Sequence, residues 1–116
     1  MYKILIADDH PIVRRGLRQI LEETRFVISV DEASNGREAI ELVKKGKFDI
    51  VLLDISMPGM NGLEVLEELK KLKPSLPVLM LSIYPEEDYA VRALKAGASG
   101  YLTKKSAPDE LVGAIK

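Results

Sequence analysis

A chain of 116 residues, 47% hydrophobic and 30% charged, is the size of one globular domain and can bury roughly two-thirds of its unfolded surface without a disulfide or metal staple. It has no cysteine, which excludes thiol catalysis, Cys-ligated zinc and iron–sulfur chemistry, and 17 basic against 18 acidic residues leave a net charge of −1, too balanced for nucleic-acid binding by bulk electrostatics. No apolar run approaches the ~18 residues of a membrane span, and Ile4–Ala7 is too short for a signal peptide, so a soluble, cytoplasmic domain is expected.

Lys3–Ala7 is a short apolar run stopped by Asp8 and Asp9, the pattern of a strand buried on both faces. Pro11 suits a first helical turn, and Val13, Leu17, Ile20 and Leu21 recur at helical spacing through Glu23. Phe26–Ala33, with Val27, Ile28 and Val30, predicts a second strand. Asn35 can cap a helix that turns Ala39, Ile40 and Val43 inward and ends at Gly46. Asp49–Asp54 is the strongest strand signal, and the turn-rich segment Met57–Gly62 follows it. Asn61 with Glu64 forms a capping box opening a helix with Val65, Leu66, Leu69 and Leu72, closed by Pro74 and Pro77. Val78–Ser82 is a fourth strand. Pro85 to Asp88 opens a helix through Ala90, Val91, Ala93 and Leu94 to Gly97, its acidic first turn matched to the helix dipole. Gly100–Thr103 is a fifth strand, and Ser106–Asp109 begins a last helix with Leu111, Val112 and Ile115.

Strands alternating with helices predict an α/β fold with a five-stranded parallel sheet and five helices shared between its two faces. At this length, right-handed crossovers favour the doubly wound, flavodoxin-like order 2-1-3-4-5. Residues 1–116 read as a single domain without repeats, linkers or low-complexity tracts.

In such sheets a site forms beyond the carboxyl ends of the strands where the strand order reverses, here between strands one and three. Strand one ends in Asp8 and Asp9 and strand three in Asp54, so three carboxylates converge. Two unit charges ~5 Å apart repel by about 3 kcal/mol at an effective dielectric near 20. Either one acid is protonated or Asp8 caps the following helix, or a hard divalent ion holds the three together; an oxygen-only ligand set favours Mg2+ or Mn2+ over zinc. Strand four ends at Ser82 and strand five leads to Lys104. Alone, Ser82 reads as a strand-terminal hydroxyl bonding local backbone and Lys104 as a solvated surface residue. Taken with the acids and a cation, the two could grip phosphoryl oxygens. His10, the one histidine, reads as a loop residue at the mouth of the site or as the cap before Pro11, and Arg14, Arg15 and Arg18 as a solvated basic helix side.

The segments Asp8-Asp9, Leu53-Asp54-Ile55-Ser56-Met57-Pro58-Gly59-Met60-Asn61-Gly62, Ser82 and Ala93 through Lys104, in this order and spacing, resemble the receiver domain of two-component response regulators over essentially the whole chain. They are most similar to the branch with LuxR-type helix-turn-helix output. The resemblance implies that Asp54 accepts a phosphoryl group from a sensor histidine kinase or a small acyl phosphate. It implies that Asp9 binds Mg2+ directly, Asp8 largely through water, and that the Ser56 carbonyl completes the protein ligands. Ser82 and Lys104 would hold phosphoryl oxygens, and Ser82 and Tyr101 would act as the switch pair. The helix 4, strand 5 and helix 5 face would then control a transcriptional output. By the same resemblance, an output domain lies C-terminal to residue 116, DNA is reached only through it, and phosphorylation favours a homodimer. The chain departs from the family in having Lys105 where a proline commonly follows the invariant lysine, and Ser82 for the commoner threonine. Two other readings remain. One is a stand-alone receiver working by protein–protein contact; the other is an Asp-nucleophile phosphatase, which would want an acid where Ser56 stands.

Overall fold

The strands β1 (Tyr2–Ala7), β2 (Val27–Ala33), β3 (Ile50–Asp54), β4 (Val78–Ser82) and β5 (Gly100–Thr103) pair in one parallel sheet of order β2-β1-β3-β4-β5. The computed structural model describes residues 2–25, 27–55, 59, 61–82 and 92–103, with the backbone alone at positions 28, 82 and 103. Helices α1 (Pro11–Glu22), α2 (Gly36–Lys45) and α3 (Gly62–Leu72) fill three of the crossovers, and residues 92–95 are helical. The expected sheet and its strand order are therefore observed; the expected opening of the fourth helix at Pro85 and the final helix from Ser106 lie outside the described residues.

The alternation of side chains along the strands divides the interior in two. On one face Leu5, Ala7, Val51, Leu53, Val78 and Met80 pack against α2 through Ala39 and Val43, and against α3 through Val65, Leu66 and Leu69. On the other, Ile4, Ile6, Ile50, Leu52, Leu79 and Leu81 meet Leu17 and Leu21 of α1. The three central strands are apolar at nearly every position because both of their faces are covered, each fully buried Leu or Ile contributing about 1.5–3 kcal/mol relative to exposure. Leu72, expected on the apolar side of α3, is instead exposed: it is the last residue of the helix, beyond the buried set Val65, Leu66 and Leu69.

Caps set the helix starts. The Asn35 side chain accepts from the Glu38 N–H at 2.8 Å. At α3 the expected capping box is present, with Asn61 Oδ1 accepting from the Glu64 N–H at 3.0 Å and Glu64 Oε1 accepting from the Asn61 N–H at 3.5 Å. Pro11 opens α1 as expected. The helical turn before β5 stops at Gly97, whose φ of +106° favours glycine. Asp49 lies just outside β3; its N–H donates to the Lys3 carbonyl at 2.8 Å and its Oδ2 accepts from the Lys3 N–H at 2.7 Å.

The carboxyl ends of β1 and β3 are fixed from both sides. Ala7 stands in register with Leu53, and Asp54 with Leu81. Beyond the strands, the Asp8 N–H donates to the Ala33 carbonyl at 3.0 Å and the Ile55 N–H to the Leu81 carbonyl at 2.9 Å. The Gly62 N–H then returns to the Ile55 carbonyl at 2.7 Å. A Cβ on Gly62 would lie 2.3 Å from the Asp54 carbonyl oxygen and 2.5 Å from Ile55 Cα, so α3 can begin against β3 only with glycine there.

Candidate functional site

Asp8, Asp9 and Asp54 meet at the reversal of strand order, as the sequence predicts, and His10 joins them: one ligand atom from each of these residues lies within 4.8 Å of all the others. Asp8 and Asp54 are buried, at 0% and 1% exposure, while Asp9 is part-exposed and His10 half-exposed. A buried apolar run therefore delivers a buried carboxylate at each of two adjacent strand ends, against the usual partition of charge to the surface.

The Asp8 carboxylate does part of the local work considered from sequence. Its Oδ1 accepts from the His10 N–H at 2.8 Å, just ahead of α1, while His10 itself occupies the cap position without capping through its side chain. The His10 ring turns inward. Nδ1 lies 3.1 Å from Asp8 Oδ1, 3.1 Å from Asp9 Oδ1 and 4.0 Å from Asp54 Oδ2. An ionised carboxylate oxygen only accepts, so in the tautomer with the hydrogen on Nδ1 the ring donates to Asp8. Among the described residues, Asp9 Oδ1 is then a buried oxygen that accepts no hydrogen bond despite the nearby ring.

That oxygen bears on the metal. Carboxylate oxygens of three acids converge, one of them buried and unsatisfied, and their mutual repulsion is relieved by a positive charge between them. The donor set fits a hard divalent cation held by Asp8, Asp9 and Asp54.

Arg14 and Arg18 correct the expectation of a solvated basic helix side. Arg14 Nε donates to Glu32 Oε1 at 3.0 Å, and Nη1 donates to the backbone carbonyl of Asp8 at 2.6 Å. Arg18 Nη1 donates to Glu32 Oε2 at 2.5 Å, and its Nε lies 3.5 Å from Glu22. Burial pushes the Glu32 carboxyl up, but the hydrogen bonds from Arg18 and Arg14 outweigh it and hold the acid below its ordinary value. The bond to Glu32 in turn raises the Arg18 guanidinium against burial. Glu32 stands in register with Ile6 on β1, one strand step from the acidic pair. The signal that sequence reasoning passed over is an acid within a strand, which needs a cation from the adjoining helix.

Of the other expected site residues, Ser82 ends β4 opposite Thr103, and Tyr101 is part-buried on β5 against the core on the α2 and α3 side. The Ser82 side chain, Ser56, Lys104 and the peptide between Lys104 and Lys105 lie outside the described residues. No helix of the described residues is long and apolar enough to cross a membrane.

Comparison with known proteins bears on the family and the fold. The family described as response regulator receiver domain matches residues 4–116. The response regulator UvrY of Escherichia coli is 39% identical over 116 residues, covering 100% of this chain and 53% of that protein. The chain thus spans about half the length of the curated relatives it matches. Among solved structures, a LuxR-family two-component response regulator from Aurantimonas sp. superposes with a TM-score of 0.93 at 37% identity, over 99% of this chain and 82% of that one. A response regulator from Burkholderia pseudomallei, solved with a phosphorylated aspartic acid, calcium ion and citrate, gives a TM-score of 0.89 at 29% identity, over 100% of this chain and 67% of that one.

Proposed function

The chain belongs to the response regulator receiver domain family, and from that premise we propose that it is a phosphorylation switch in which Asp54 is the acceptor. The observation that carries this reading is the convergence of Asp8, Asp9 and Asp54 within 4.8 Å at the reversal of strand order, with Asp54 almost wholly buried at the end of β3. The relative with a phosphorylated aspartic acid and a calcium ion supports it.

In the transfer, an Asp54 carboxylate oxygen forms a bond to phosphorus while the bond from phosphorus to the donor breaks. The donor leaves with the electron pair, as the imidazole of a kinase phosphohistidine or the carboxylate of an acyl phosphate. Burial keeps the acceptor oxygen from competing water, and the bonds of Asp8 and Ile55 to the neighbouring strands hold it in line. Mg2+, or Mn2+, held by Asp8, Asp9, Asp54 and the Ser56 carbonyl, would supply charge neutralisation for the phosphoryl oxygens. Ser82 and Lys104 would hold those oxygens, and Tyr101 would follow Ser82. The domain also assists its own dephosphorylation. In the whole protein, in the cytoplasm, a sensor histidine kinase is the donor. A LuxR-type output domain C-terminal to residue 116 reaches DNA, with a homodimer as the active form.

Labelling with a small radioactive acyl phosphate tests this. The wild-type chain takes up label only with a divalent ion, and the Tyr101 ring resonances shift as it does so; Asp54→Asn does neither. Equal labelling of that variant, or labelling in the presence of a chelator, would falsify the assignment.

A further inference from the structure

We propose that His10 Nδ1 is a further protein ligand to the ion held by Asp8, Asp9 and Asp54, which makes this site selective for nitrogen-accepting first-row transition ions over Mg2+. The inference rests on the metal reading above and deepens it by naming the class of ion.

The distances carry it. An ion with ligand bonds of about 2.1 Å in octahedral geometry places neighbouring donors about 3.0 Å apart and opposite donors about 4.2 Å apart. His10 Nδ1 stands 3.1 Å from Asp8 Oδ1, 3.1 Å from Asp9 Oδ1 and 4.0 Å from Asp54 Oδ2, spacings compatible with two neighbouring donors and one opposite donor. The ring is brought there by the backbone: the His10 N–H is held by Asp8 Oδ1 at 2.8 Å, and Pro11 fixes the chain direction immediately after it. Nδ1 becomes a donor to metal when its hydrogen moves to Nε2, a tautomer change available by exchange with water because the side chain is half-exposed. Mg2+ gains little from an imidazole, whereas Ni2+, Fe2+ and Zn2+ bind it well, so one nitrogen among oxygens shifts preference along the transition series.

The chain has one histidine and no cysteine, so a nitrogen signal from imidazole has a single source. Pulsed electron paramagnetic resonance on the whole chain with Mn2+ should show nitrogen coupling that disappears in His10→Gln. Calorimetric titration should show that His10→Gln weakens Ni2+ by about tenfold or more while changing Mg2+ by less than about twofold. Mn2+ bound without nitrogen coupling, and lost in Asp9→Asn, would overturn the role of His10 and leave the acidic metal site intact. Mn2+ binding untouched by both Asp9→Asn and Asp54→Asn would overturn the metal site as well.

Discussion

The Arg14 guanidinium braces the acidic turn from outside, and its removal has a predictable size and pH dependence. Arg14→Met keeps the aliphatic stem but removes the hydrogen bonds to Glu32 Oε1 at 3.0 Å and to the Asp8 carbonyl at 2.6 Å. Bonds to charged groups contribute about 1.5–3 kcal/mol when well buried; here Glu32 keeps Arg18 and both partners touch water, so a loss of about 1–2 kcal/mol is expected at neutral pH. For a domain of this length that is a fall in Tm of roughly 4–8 °C. Glu32 has a folded-state pKa below its ordinary 4.5, so its contribution is complete above that value and is lost as pH falls through the depressed one. The penalty of Arg14→Met should therefore shrink on acidification but not vanish, because the bond to the Asp8 carbonyl does not titrate. Denaturant unfolding of wild type, Arg14→Met, Glu32→Gln and the double variant, at neutral and acid pH, measures both parts. A penalty that stays constant across pH, or a double variant that is simply additive, would refute the argument.

The acidic cluster predicts an opposite sign at its centre: Asp54→Asn removes a buried charge and relieves repulsion of about 3 kcal/mol per pair at 5 Å, so that variant should be at least as stable as wild type without divalent ions. Adding Mg2+ should then raise the Tm of wild type more than that of the variant; an equal rise in both would count against the ion lying at Asp54. Gly62→Ala forces the start of α3 away from the Asp54 carbonyl, from a 2.3 Å clash, and should destabilise by about 3 kcal/mol while cutting acyl-phosphate labelling. Wild-type labelling in a destabilised Gly62→Ala would show that the approach of α3 does not set the acceptor.

Much of this molecule was legible in its sequence because its local signals agree. Apolar runs of β-branched and leucine residues ended where carboxylates begin, so strand ends and acid positions were one observation. Asn35 and Asn61 capped the helices they were expected to cap. The doubly wound order followed from alternation and handedness, and it brought Asp8, Asp9 and Asp54 together. What was not legible depends on contacts between elements far apart in the chain. Arg14 and Arg18 look like surface charge until β2 places Glu32 beside α1, an acid 18 and 14 residues away from them. His10 is one residue from the acidic pair, yet sequence gives no rotamer, and the direction of its ring separates a loop residue from a member of the site. Leu72 continues the helical period of α3, yet it is the helix's last residue and is exposed.

The interactions that stabilise the fold and those that serve the site are arranged against one another. Buried carboxylates at the ends of two apolar strands are expected to lower the stability of the ion-free domain, and the described backbone beside them is fastened at several points: Asp8 to Ala33 and Arg14, Ile55 to Leu81, Gly62 to Ile55. A loose turn would relieve the repulsion by letting the acids separate. A fastened one holds them together, so a cation bound there relieves repulsion without binding energy being spent on rearranging the loop. The same fastening gives the proposed switch its direction. With β1 and β3 fixed, a change at Asp54 passes to β4, whose Leu81 is its register partner, and from position 82 to Thr103 on β5, two residues beyond Tyr101. Among the described residues, strand β5 has a paired neighbour on one side only. Displacement there disrupts fewer ladder bonds than displacement of any strand between it and the acids, which supports the proposal of a responsive face at the β5 edge of the sheet.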